Sequence, residues 1–290
     1  MQNNSDKKVF CIDIGGTKTA FAIFNGQGTE LFYDCFPTRS EEGAQKLIDR
    51  ISESVAGKLD GIDTGVIASP GPLDTKTGEI VFIATMGWRN IPIVKMFEEK
   101  FNIKFSLLND CDAGGLGVWK FSGFSDYQNL AYMSISTGIG GGVIANGKLL
   151  CGKGSAGYFG HIPVCGEGLK CGCGNTDCLE LYASGSGMES RYFSKTGKKL
   201  SCKAIAELAR DGDQIALKVF EDAGDKLVFA IHSIIANLDP EILVLGGSVC
   251  KDKDLFLPKI KKEFPKLKIG FAPDTGKQVL YGALAYVLTN

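Results

Sequence analysis

Histidine is scarce in this chain, with two among 290 residues. There is no excess charge of either sign: 32 basic against 33 acidic residues leave a net charge of −1. A basic surface is therefore not on offer, and a nucleic-acid partner has no support. No stretch approaches the roughly 18 consecutive apolar residues of a membrane span. The longest, "LVFAIHSIIANL", is interrupted by His232 and Ser233 and runs to Pro240, which fits a buried helix and no membrane partner. The opening "MQNNSDKK" lacks the apolar centre of a signal peptide. A cytoplasmic location is expected, and with it mostly reduced thiols. Internal repeats, low-complexity tracts and the redox spacing C-x-x-C are also absent. Ten cysteines in a reducing compartment are then small core residues or metal ligands.

What is present is an alternation of strand-like and helix-like segments, the mark of α/β layers. "KVFCIDIGG" is an apolar run ending in glycines, and "TKTAFAIFNGQG" continues as a second strand stopped at Asn25-Gly26, so the pair reads as a hairpin. Residues 43–59 place Leu47, Ile48, Ile51, Val55 and Leu59 at helical spacing. "GIDTGVIAS" is a buried strand before the turn "PGP", "VKMFEEKFN" is helical, and "IKFSLLND" is a strand that delivers Asn109 and Asp110 at its C-terminal end. Ligands collect at that end of open α/β sheets. A second round follows: strand "NLAYMSIS", turn "TGIGGG", returning strand "VIANGKLL". Helices near "AIAELARDG" and over "QIALKVFEDAGDKLVFAIHSIIANL", the strand "EILVLGG" and a helix near "LYGALAYVL" close the pattern. Two similar α/β halves with a cleft between them are expected.

The turns "DIGGTKT" (13–19) and "STGIGGG" (136–142) have glycines after a buried strand and hydroxyls beside them at Thr17 and Thr137. Without a Cβ in the way, backbone N–H groups can approach a phosphate closely. Taken alone, each turn reads first as a plain hairpin; together with "LGG" at 245–247 they are readable either as hairpins or as a phosphate clamp. Neither is a dinucleotide fingerprint, since G-x-G-x-x-G counted from Gly138 fails at Val143. The near match "GVIANGKL" to a nucleotide-binding P-loop fails at Leu149, where a hydroxyl should hold magnesium. Asp110 is readable as a turn or helix cap, or as a general base accepting a hydroxyl proton.

One segment, "GHIPVCGEGLKCGCGNTDCLE" (160–180), concentrates four cysteines and one of the two histidines. Cys171, Cys173 and Cys178 form C-x-C-x4-C, with His161 ten residues upstream and Gly172 and Gly174 allowing a tight loop. Three thiolates and an imidazole suit tetrahedral Zn2+, and four protein ligands close the site, making it structural. Chance clustering of buried cysteines is the alternative. Cys165 falls off the spacing and is not assigned as a ligand.

Taken in order, "DIGGTK", "SPGPLD", "LND", "STGIGGG", the "GH" before C-x-C-G-x-x-x-C-x-E, and "NLDPEILVLGG" resemble the ROK family of sugar kinases and repressors. The resemblance implies a two-domain actin/hexokinase-type (ribonuclease H-like) ATPase fold. Its domains would be 1–118 plus 276–290, a small N-terminal α/β domain, and 119–275, a larger one carrying the zinc loop. It also implies transfer of the γ-phosphoryl group of ATP, with Mg2+, to the 6-hydroxyl of a hexose or N-acetylhexosamine, and a homodimer. A sugar-sensing regulator without catalysis is the alternative. Repressors of the family carry a DNA-binding segment ahead of the first phosphate motif, which here begins at Asp13. By the same resemblance Asp13, Gly15, Gly16, Thr17 and Lys18 would face the phosphates and magnesium. Thr137, Gly138 and Gly140 would form a second phosphate loop, and Gly246 and Gly247 would lie near the adenosine. Gly71, Asn109, Asp110, Tyr158, His161 and Glu180 would hold the sugar, Asp110 as catalytic base. Against the family pattern there are two departures: Tyr158 stands where the family's kinases usually carry Glu before Gly-His, and Thr85 in "ATMGW" replaces a common Asn. They shift the expectation from glucose toward an N-acylated or other hexose without excluding a glucokinase-like activity.

Overall fold

The computed structural model describes residues 7–62, 64–273 and 276–289. The polar opening up to residue 6, and Thr275 at the expected domain boundary, lie outside them. Two compact units are formed: Met1–Ser125 with Lys148–Ala156 and Thr275–Asn290, and Asp126–Gly147 with Gly157–Asp274.

In the first unit the apolar run and its returning partner form the hairpin β1 (Lys8–Ile14) and β2 (Lys18–Asn25). Asn25 turns the chain by accepting the N–H groups of Gln27 and Thr29 on its own Oδ1 at 3.1 and 2.9 Å. β3 (Glu30–Pro37), α1 (Ala44–Ser54) and β4 (Thr64–Ser69) follow. A small antiparallel sheet comprises β5 (Leu73–Asp74), β6 (Glu79–Ile83) and β7 (Trp88–Ile91). Then come α2 (Ile93–Phe101), β8 (Lys104–Asn109) and α3 (Asp110–Phe121). The main sheet runs β3-β2-β1-β4-β8, with β4 parallel to both β1 and β8. Phe10, Phe97, Phe101 and Phe105 meet at ring separations of 5.4–6.2 Å and fill its core.

The helix expected over 43–59 stops at Ser54. Val55 leaves the helical region (φ −94°, ψ 8°) and Gly57 is left-handed (φ 71°). Val55 is still buried in the core, which is why the apolar spacing outruns the helix.

The second unit repeats the opening motif with β9 (Leu130–Ile135) and β10 (Ile139–Ala145). The stretch "TGIGGG" is not all turn: only Ser136–Gly138 reverse the chain, and Gly140–Gly142 pair with Ser134–Tyr132 in the ladder. Past the Asn146-Gly147 turn, β11 (Lys148–Leu149) is where the chain leaves this unit. After the cysteine segment come α4 (Glu180–Ala183), α5 (Gly185–Thr196), α6 (Cys202–Arg210) and α7 (Gln214–Leu238). β12 (Ile242–Gly246), α8 (Leu257–Glu263) and β13 (Ile269–Phe271) complete it. The sheet order is β11-β10-β9-β12-β13. Asp213 caps α7 by accepting from Ile215 and Ala216, and the helix buries Val219, Phe220, Leu227, Ile231 and Ile234. Among the described residues no helix is long and apolar enough to cross a membrane.

α9 (Gln278–Thr289) returns to the first unit and packs on α3. The approach is so close that a Cβ on Gly282 would lie 1.6 Å from the Ala113 carbonyl oxygen, and one on Gly117 2.0 Å from that of Gln278. Glycine is required at both positions. The crossing fixes α3, and α3 carries Asp110 at its first turn.

Candidate functional site

The parallel strand β8 ends in Asn109, whose Oδ1 accepts the N–H groups of Cys111 (3.0 Å) and Asp112 (3.3 Å) and so caps α3. The cap reading thus falls on Asn109, and Asp110 is the first helical residue. Asp110 Oδ1 accepts the Cys111 N–H at 2.8 Å, which favours its charged form, but burial outweighs this and raises its pKa. Asp13, one residue from the end of β1, is pushed up to about 7, by burial first and then by the charge of Asp110, with Lys18 opposing. Asp110, expected as the base, and Asp13 and Lys18, expected together at the phosphates, therefore share one electrostatic environment. After Asp13 the turn closes through Gly15 N–H to Lys18 O at 3.0 Å. Thr38, not singled out by sequence, fastens it: its hydroxyl donates to Gly15 O at 2.6 Å and its N–H to Thr17 O at 2.9 Å. A Cβ on Gly16 would come 3.5 Å from Thr85 Oγ1, so Thr85 borders this turn. Gly71 lies just past β4, before Pro72.

Asp112 is a further carboxylate that the sequence did not flag. Its residue is 3% exposed, and its buried Oδ1 has no hydrogen-bond partner. Burial, then the charge of Asp110, lifts it to about 7. A carboxyl raised in the folded state adds stability below its unfolded pKa and loses it as pH rises through the folded one. Asp112→Asn should therefore stabilise the protein by on the order of 2 kcal/mol at about pH 8 and by almost nothing near pH 4. Urea unfolding at the two pH values checks this; equal gains at both would exclude the titration as cause.

In the second unit His161 ends a single helical turn, Phe159–His161. The chain on either side of the cysteine loop is stitched by Val164 N–H to Asp177 O at 2.8 Å and Leu179 N–H to Ile162 O at 3.0 Å. Asp177 adopts a left-handed φ of 57° and accepts the N–H groups of Gly168 and Leu169 and the hydroxyl of Tyr182. This gathers His161, Cys171, Cys173 and Cys178 so that their donor atoms all lie within 4.8 Å of one another. Cys173 and Cys178 sulfurs are 3.6 Å apart, and Cys171 sulfur is 3.8 Å from His161 Nδ1. Tetrahedral zinc with ligand bonds of about 2.0–2.3 Å needs donor separations of this size. Cys165 is exposed and outside the cluster. Burial pushes the Cys178 thiol up to about 12, so a thiolate there needs a cation beside it. The donor set fits zinc, with Nδ1 as the imidazole donor.

Tyr158 precedes this turn, its ring 6.2 Å from that of His161. Glu180, two residues past Cys178, opens α4, and its Oε2 accepts the Ile139 N–H at 2.9 Å. Thr137 and Gly138 lie in the turn Glu180 reaches, whereas Gly140 sits inside β10. Gly246 ends β12; Gly247, left-handed at φ 90°, packs so closely on Ile135 that a Cβ would lie 2.3 Å from its carbonyl oxygen. The second glycine turn and the "LGG" end are thus neighbours.

A family model described as "ROK family" matches residues 9–280. The chain belongs to the ROK family. A glucokinase of Halalkalibacterium halodurans is 32% identical over 286 residues, covering 90% of this chain and 86% of that protein. A xylose repressor of Bacillus spizizenii is 35% identical over 198 residues, 68% of this chain and 51% of the repressor. A ROK glucokinase from Streptomyces griseus, solved in complex with glucose and AMPPNP, superposes with a TM-score of 0.79 at 28% identity, covering 96% of this chain and 98% of that one. The fold is accordingly that of the ROK sugar kinases, the actin/hexokinase type. Within this ROK chain Tyr158 lies beside the cysteine loop and Thr85 beside the first glycine turn.

Proposed function

We propose that this ROK protein is a sugar kinase that transfers the γ-phosphoryl group of magnesium-bound ATP to the 6-hydroxyl of a hexose or N-acetylhexosamine. The observation that carries the reading is the half-buried Asp110, set at the head of α3 within electrostatic reach of Asp13 and its glycine turn. Phosphoryl transfer asks chiefly for positioning and neutralised charge. Asp110 takes the proton of the attacking hydroxyl, whose oxygen bonds to the γ-phosphorus as ADP leaves. Its raised pKa brings it closer to the acidity of its task. Asp13 faces the magnesium-bound phosphates; Gly15 closes the turn so that the N–H groups of Gly16 and Thr17, with Lys18 beside them, and those of Thr137 and Gly138 donate to phosphate oxygens. Gly246 and Gly247 border the adenosine. Asn109, whose oxygen is spent on the cap, offers its amide N–H groups to the sugar. Gly71, Tyr158, His161 Nε2 and Glu180 complete the sugar contacts. Zinc, when bound by His161, Cys171, Cys173 and Cys178, ties the loop that bears these side chains.

A sugar-binding regulator is the second reading, favoured by the similarity to a xylose repressor. Sugar-dependent ADP release decides between them, with glucose, mannose, fructose, allose, glucosamine, N-acetylglucosamine and N-acetylmannosamine tested in parallel. Turnover is expected, with glucose not preferred, because tyrosine cannot replace the two acceptor oxygens of a carboxylate. Sugar binding without turnover on any of the seven would select the regulator.

A further inference from the structure

The segment after the cysteine loop does more than present Glu180. Glu180 Oε2 holds the Ile139 N–H at 2.9 Å, and a Cβ on Gly138 would lie 2.5 Å from that same oxygen. Five and six residues on, at the start of α5, Gly185 N–H donates to Ser136 O at 2.7 Å and the Ser186 hydroxyl to Thr137 O at 2.6 Å. Every residue from Ser136 to Ile139 is thus met by the stretch 180–186. The stretch is itself stiff: Ser184 caps α5 through Gly187 N–H and donates its hydroxyl to Glu180 O at 2.7 Å. A phosphate-binding turn owes its affinity to N–H groups already aimed at the anion, so whatever holds the turn in shape sets that affinity.

We infer that Glu180 and Ser186 are positioning residues for the nucleotide: they brace the turn Ser136–Gly138 against the zinc loop, so that the element carrying the sugar contacts also shapes the site for a magnesium-bound nucleoside triphosphate. The inference rests on the kinase reading above. The carboxylate matters here as a hydrogen-bond acceptor for Ile139, not as a charge. A negative charge acting directly on a phosphate would repel it, and that difference separates the two roles.

The test is calorimetric titration of the full-length, zinc-loaded protein with magnesium-AMPPNP, with zinc content measured for every variant. Glu180→Ala removes the acceptor, and AMPPNP affinity should fall about tenfold. Glu180→Gln keeps an acceptor without the charge and should stay within about twofold of the native protein, even as the sugar KM rises in both variants. Ser186→Ala, which touches no proposed sugar contact, should weaken AMPPNP about threefold while the sugar KM holds. Unchanged or tighter nucleotide binding in Glu180→Ala overturns the inference, as does an equal loss in Glu180→Gln. Failure of the native protein to bind AMPPNP would instead overturn the kinase reading itself.

Discussion

Asp110→Asn should lower kcat by about a thousandfold, in the range seen when a general base is removed, and leave sugar affinity nearly unchanged. The substitution is well suited to the site. An asparagine oxygen can still accept the Cys111 N–H that Asp110 now accepts at 2.8 Å, and the Asn109 cap does not depend on it. What disappears is the capacity to take a proton. The desolvated charge is also gone, so the variant should unfold at a higher denaturant concentration than the native protein at neutral pH, since partial burial disfavours the ionised form. Lost activity with retained stability and sugar binding identifies a base. A variant that keeps more than a tenth of native kcat removes Asp110 from that role.

Stripping the metal should have the second large effect, and on binding. Elemental analysis is expected to find about one zinc per chain. Its removal by chelation should weaken sugar binding by about ten- to a hundredfold, the scale on which support of a site's ligands matters. The sheet of the second unit should survive, because most of its core comes from β9, β10, β12 and α7, including Met133, Ile135, Leu243 and Phe220, with the cysteine segment adding Val164 and Leu179. Circular dichroism would then be nearly unchanged while the sugar titration collapses. Equal sugar affinity with and without metal would show that His161 and Glu180 are held by the hydrogen bonds of Asp177 and Ile139 alone.

Much of this was legible in the residues, for reasons that differ by element. The hairpin β1–β2 could be read because an apolar run ends in Gly15-Gly16 and resumes. α7 could be read over its full length because Asp213 marks its start and its apolar spacing never lapses. α3 could not: "DCDAGGLGVWKF" carries three glycines, poor helix formers, and one of them, Gly117, is there because α9 crosses too closely for a side chain. The helices from Glu180 to Thr196 are hidden for a like reason, since "ASGSG" at their junction is rich in glycine and serine. At the site, the metal ligands announce themselves by spacing. Asp112 does not, since only its burial gives it character. Nor does the brace from Glu180 to Ile139, a contact between residues 41 apart in sequence.

The discontinuity of the first unit also bears on how a ribosome delivers this protein. α9, residues 278–289, belongs to a unit whose other helices and main-sheet strands are made before residue 125, with the second unit emerging between them. Until α9 leaves the exit tunnel, the glycine face of α3 has no partner and Asp110 has no settled mount. The intervening unit can complete itself first, and nascent chains arrested short of α9 should expose the α3 glycines to proteases that the finished protein resists.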